Sequence, residues 1–161
     1  MTLISPTNER ANRLIGIYSN LDKELYDAFR FLEPALENNE IILLLVDDSL
    51  DRHDTLKARI TDFENNIKEG NLLLVKLSTH YVGALAGDLE PFNAMERELT
   101  DRAKIRKDKH VRIVADCAGF LYENKHFDEC VELEQWWHQK PFEGSYLCPF
   151  RNSLCDMLSQ I

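Results

Sequence analysis

Two adjacent carboxylates, Asp47 and Asp48, close the aliphatic run "IILLLVDDS" at residues 41–49. Three kinds of chemistry use such a stretch. It can be the acidic pocket of a phosphate-accepting receiver, or the magnesium strand of a nucleotide hydrolase. It can also be a buried strand whose polar tip lines a pocket or caps a helix. A receiver needs its acidic pair after the first strand and an acceptor Asp after the third. Here the pair follows the second apolar run, and the third, "NLLLVKLS" (71–78), carries no Asp at its tip. A P-loop enzyme needs GxxxxGK[ST], whose backbone amides and Lys cradle the phosphates. None of the six glycines begins that motif, "GALAG" (83–87) lacks the Lys and hydroxyl residue, and there is no GxGxxG. What stays compatible is a strand tip that lines a pocket or caps a helix, or an ATPase-like shell without its phosphate loop.

The other reactive side chains make no catalytic constellation. His53, His80, His110, His126 and His138 form no HExxH and no pair at i, i+4. His126 and Cys130 stand at i, i+4, which reads as a surface histidine beside a core cysteine. There is no GxSxG elbow. Cys117 follows Asp116, and a neighbouring carboxylate raises a thiol pKa, which argues against a reactive thiolate. Cys148 and Cys155 lie close enough in sequence for a turn to join them, which leaves a redox role open. No enzymatic activity, cofactor or metal is expected.

The elements that must carry these residues follow from periodicity. Residues 1–12 read as a flexible polar lead-in, and 13–161 as one domain. Short apolar runs at 13–19, 41–46, 71–78, within 110–119 and at 145–150 read as strands. The run at 41–46 is continuous, as expected of a strand covered on both faces. Apolar stripes at helical spacing predict helices over 20–37, 52–68, 89–107, 125–139 and 152–160, with Ser19 or Asn20 capping the first. "THYVGALAGD" (79–88) reads as a loop. Regular β-α alternation calls for a mostly parallel five-stranded sheet in a three-layer α/β/α sandwich, RecA-like or Rossmann-like.

Composition narrows the partners. The 161 residues carry 28 acidic against 19 basic side chains, a net charge of −9. That argues against direct nucleic-acid contact and against adhesion to anionic membranes. No run approaches the roughly 18–20 apolar residues of a membrane span, and the first residues lack a signal-peptide core, so a cytoplasmic location is expected.

In such a sheet ligands bind beyond the carboxyl ends of the strands. Tyr18, Asp47, Asp48, His80, Tyr81, Asp116, Cys117 and Phe120 are placed at or near those ends. Tyr18, Tyr81 and Phe120 would be pocket wall. Asp47, Asp116 and His80 would be polar anchors.

Several stretches, in order, resemble a known family. They are "RLIGIYSNLDKELYDAFRFLEPALENNEIILLLVDD", "IKEGNLLLVKLSTHYV", "VRIVADCAGF", "CVELEQWW" and "LCPFRNSLC", and together they span roughly residues 13–157. The chain is similar to the sensory domain of methanogens and methylotrophs named after the dichloromethane-responsive regulator, the MEDS domain. Arg13 stands where that family often has His, and Asn39–Glu40 where it has a "GE" turn. The resemblance implies a RecA-type or clock-ATPase-like shell without a phosphate loop. It implies a small organic, hydrocarbon-derived ligand and a signal passed to a separate histidine kinase or transcription regulator, with a homodimer also open. The alternative is a non-catalytic, degenerate ATPase-like module for protein interaction or oligomerisation.

Overall fold

A computed structural model describes residues 2–4, 12–38, 40–46, 50–105, 110–139 and 144–151. The chain runs β1 (Thr2–Ile4), β2 (Asn12–Tyr18), α1 (Leu21–Asn38), β3 (Ile41–Val46), α2 (Leu50–Arg59), α3 (Phe63–Lys68) and β4 (Leu72–Lys76). It continues through α4 (Leu77–Leu85), α5 (Glu90–Ile105), β5 (Val111–Ala115), α6 (Cys117–Glu123), α7 (Phe127–His138) and β6 (Gly144–Arg151). The sheet order is β1-β2-β6-β5-β3-β4. Its five long strands are parallel, and β1 adds an antiparallel edge through Thr2↔Ile17 to Ile4↔Ile15.

β3 lies one strand in from the β4 edge, between β5 and β4. It pairs with β5 from Ile41↔Val111 to Leu45↔Ala115, and with β4 from Ile42↔Leu72 to Val46↔Lys76. Ile41 to Leu45 are all at most 2% exposed, because alternate side chains enter two different cores. Ile42 and Leu44 join Leu25 and Leu32 of α1, Leu56 of α2, and Ile60 just after α2. Ile41, Leu43 and Leu45 join Phe92, Leu99, Leu121 and Leu133 of α5 to α7. Each such fully buried aliphatic side chain contributes about 1.5–3 kcal/mol of burial free energy. Three layers follow: α1 to α3, the sheet, and α4 to α7.

The five expected strands are present, and the alternation yields the expected α/β/α sandwich. Asn20 caps α1, its Oδ1 accepting the Lys23 amide at 2.9 Å. Pro34 does not stop that helix, which runs on to Asn38.

Four departures have local causes. The sequence reading placed no strand before residue 13, yet Thr2–Ile4 pairs with β2. The single helix expected over 52–68 is two, broken where Asp62 adopts a left-handed φ of 53°. The loop expected over 79–88 is largely α4, whose buried Leu77, His80 and Ala84 fall at helical spacing. The chain leaves β5 through Asp116 straight into α6, another helix absent from the sequence reading. Asp47, Asp48 and the helix expected at 152–160, with Cys155, lie outside the described residues. No helix among the described residues is long and apolar enough to cross a membrane.

Candidate functional site

The position of a site follows from where the connections leave the sheet. From β3 the chain passes to α2, in the α1 layer. From neighbouring β5 it passes to α6, in the opposite layer. Adjacent strands whose crossovers depart to opposite faces open a crevice between their carboxyl ends, the usual ligand position in open α/β sheets. Asp116 stands in that crevice, its amide donating to the Leu45 carbonyl at 3.1 Å.

Asp116 is 1% exposed and makes no side-chain capping bond to α6. It lines a cavity of about 20 Å³ on the α1 side, with Glu24, Leu25, Ala28, Leu56, Val114, Leu147 and Pro149. That is room for about one water molecule. Glu24 is 4% exposed, so two carboxylates are buried at one small apolar cavity. Sequence reasoning missed Glu24, since an acid in the first turn of a helix reads as a solvated partner of the helix dipole. The signal was its spacing, one turn before Ala28 and two before Leu32 on the buried stripe.

Tyr18 ends β2 on the same side. A Cβ on Gly16 would overlap the Tyr18 ring, so only glycine there lets the ring lie back along the strand. Its hydroxyl donates to Asp27 Oδ2 at 3.1 Å. Burial, and next the Asp27 charge, push the Tyr18 phenol well above its usual pKa.

The remaining sequence candidates lie on the other side of the sheet. His80 and Tyr81 are on α4, and Cys117 and Phe120 on α6. They are helical rather than strand-end residues, because β4 stops at Lys76 and turns at once into α4. His80 stands edge-on to Phe92, with ring centroids 4.8 Å apart, and is 7% exposed. Burial lowers its pKa, against the carbonyls of Lys76 and Pro91, which favour the protonated ring. Cys117 is fully buried, and burial, then Asp116 and Cys130, push its thiol far up. Tyr81 meets Phe120 edge-to-face at 6.4 Å, and burial raises its pKa. Gly119 lets α6 approach β6, since a Cβ there would strike the Pro149 carbonyl. This side is packed core. The sheet therefore divides the described candidates, with Tyr18 and Asp116 on one side and His80, Tyr81, Cys117 and Phe120 on the other.

Space of ligand size lies elsewhere, along α1. A groove of about 530 Å³ runs between α1 and strands β2 and β6. Its floor is Leu14 and Leu147, which are register partners in the sheet. Its wall is Lys23, Tyr26, Asp27, Arg30 and Phe31 of α1. Asp27 is the residue that Tyr18 holds, so Tyr18 braces the wall from behind. Leu147 lines both the groove and the Asp116 cavity. No sequence pattern announced the groove, because it depends on β2 lying beside β6, a pairing between distant parts of the chain.

Among the described residues, no group of three or more His, Cys, Asp or Glu side chains is placed to hold a metal ion. The chain matches no protein-family model, and no curated protein matches it.

Proposed function

We propose that this chain is a non-catalytic sensory domain of the kind its sequence resembles. It binds a small organic molecule and passes its state to a separate protein, a histidine kinase or a transcription regulator. The observation that carries this reading is the groove along α1. Its volume of about 530 Å³ falls in the ~300–1,000 Å³ range of small-molecule sites. Its apolar floor with a few polar groups on one wall is the usual composition of such sites. Ligand contacts at the groove reach Asp116 and Glu24 through α1 and Leu147, which border both spaces.

Thermal unfolding against two ligand sets tests the reading. One set holds small halogenated and methylated hydrocarbons, amines, alcohols and carboxylates. The other holds nucleotides with magnesium. A ligand at 100 times its Kd adds about 2.7 kcal/mol, a shift of several degrees for a chain of this size. Stabilisation by an organic compound alone supports the proposal. A magnesium-dependent nucleotide shift overturns it in favour of a nucleotide enzyme.

One observation favours the interaction-module reading. Tyr122, Phe127 and Val131 are 48%, 52% and 55% exposed, and Tyr122 contacts both Phe127 and Phe150. Ile17, 40% exposed, is in register with Phe150. An apolar strip of this kind suits a second copy or a partner. A concentration-dependent dimer that Val131→Glu dissolves, with no response to any small molecule, is the outcome that selects this reading.

A further inference from the structure

We infer that the groove along α1 selects an organic anion, a carboxylate or sulfonate carried on an apolar body. This inference rests on the ligand-binding reading above and names its chemical class.

Charge is the first argument. The chain is strongly acidic, yet the groove wall presents two cations, Lys23 and Arg30, against one carboxylate, Asp27. That carboxylate is engaged, because Oδ2 accepts the Tyr18 hydroxyl. Among the described residues the ion pairs are Lys57–Glu64, Arg97–Glu90, Arg102–Glu98 and Arg112–Glu40. Neither Lys23 nor Arg30 closes one; Arg30 Nη1 donates to the Tyr26 hydroxyl at 3.5 Å, and that contact, before the nearby Glu33 and Asp27, favours the charged guanidinium.

Geometry is the second. Both cations gather at one ring. Lys23 Nζ lies 5.5 Å and the Arg30 guanidinium carbon 5.9 Å from the centre of Tyr26. They stand two turns apart on α1 with Tyr26 between them, so an anionic head at Tyr26 lies between the two charges. Below them the floor offers the aliphatic side chains of Leu14 and Leu147, with the Phe31 ring of α1 beside them. A head between the cations and a body on the floor is the arrangement that an amphipathic anion satisfies. A neutral hydrocarbon leaves the cations unused, and a cation meets repulsion at the wall.

Fluorescence titration of the whole chain tests this with two probes of nearly equal shape. 1-Anilinonaphthalene-8-sulfonate carries the anion, and N-phenyl-1-naphthylamine is its uncharged counterpart. The variants are Lys23→Gln/Arg30→Gln in the groove, both exposed positions, and Phe127→Ser in the distant apolar strip, which corrects for binding there. The expected result is that the groove variant weakens the sulfonate roughly tenfold, as two partly screened charge contacts would. The neutral probe stays within about twofold. Equal affinity of the sulfonate for wild type and groove variant, with both probes bound, overturns the anion class and leaves the ligand-binding reading standing. Loss of both probes only in Phe127→Ser shows that neither enters the groove and overturns both.

Discussion

The two sides of the sheet bury polar groups in opposite ways. On the α4–α7 side His80 and Cys117 are buried in an aromatic-rich layer, and Tyr81 packs edge-on against Phe120. Phe92 alone meets His80, Trp136 and Trp137 edge-on, and Trp137 meets Tyr146. On the α1 side Glu24 and Asp116 border a cavity, and Lys23, Asp27 and Arg30 border a groove. Both sides cover the same strands with amphipathic helices. What differs is how the helices sit. Four helices crowd one face, with Gly119 allowing α6 against Pro149, while α1 leaves a groove beside Leu14 of β2 and Leu147 of β6. Reactive residue types in a packed layer are structural. Ordinary helix-surface residues beside an open strand are where a ligand can reach.

That contrast can be broken or sharpened by measurement. The largest effect is expected from Phe92→Ala, which empties the centre of the ring cluster. It should lose about 3–5 kcal/mol in urea unfolding, and a loss below ~1 kcal/mol would mean that the face is not tightly packed. Gly119→Ala comes next. Its new methyl meets backbone that cannot move aside, so about 2 kcal/mol or more should be lost.

His80 gives a pH test of the same face. Its folded pKa lies below the ordinary 6.5, so on acidification the unfolded chain takes up the proton first. Stability is therefore full above about pH 6.5 and falls below it, by at most about 1.4 kcal/mol per pH unit from this group. Chemical denaturation from pH 7.5 to 5 should show a shallower decline in His80→Leu, and parallel curves would count against a neutral buried ring.

Effects on the α1 side should be smaller. Tyr18→Phe removes one hydrogen bond to a carboxylate that water can still reach, at a cost of about 1 kcal/mol in thermal unfolding. Lys23→Gln/Arg30→Gln should change stability by under about 0.5 kcal/mol. If it destabilised as much as Phe92→Ala, the groove wall would be structural and the contrast between the faces would fail.

Much of the fold was legible in the sequence. "IILLLV" announced a strand covered on both faces, and the stripes of α1, α5 and α7 gave their extents within a few residues. Two short helices were not legible. α4 and α6 have nine and seven residues, begin directly off strand ends, and are built from small and aromatic types that also make loops. The site was less legible than the fold. Counting residues from strand ends put Asp116 at the end of β5 and Tyr18 at the end of β2, where the structure has them. It misplaced His80 and Tyr81, which the early turn into α4 carries to the opposite face. Glu24 and the groove were hidden for a different reason. Which side of α1 faces open space depends on strand order, and parallel crossovers do not encode that locally.

Strand order also bears on how the molecule comes to be folded. Among the described parallel strands β2 comes first in the chain and its partner β6 comes last, joined from Asn12↔Ser145 to Tyr18↔Arg151. Contacts so far apart in sequence form slowly, because the loop must close before any pairing rewards it. On the ribosome β2 must wait until residue 151 has emerged, with one of its edges unsatisfied meanwhile. The floor of the groove, Leu14 against Leu147, is then among the last parts of the molecule to exist, and any nascent chain that binds ligand there has already closed its sheet.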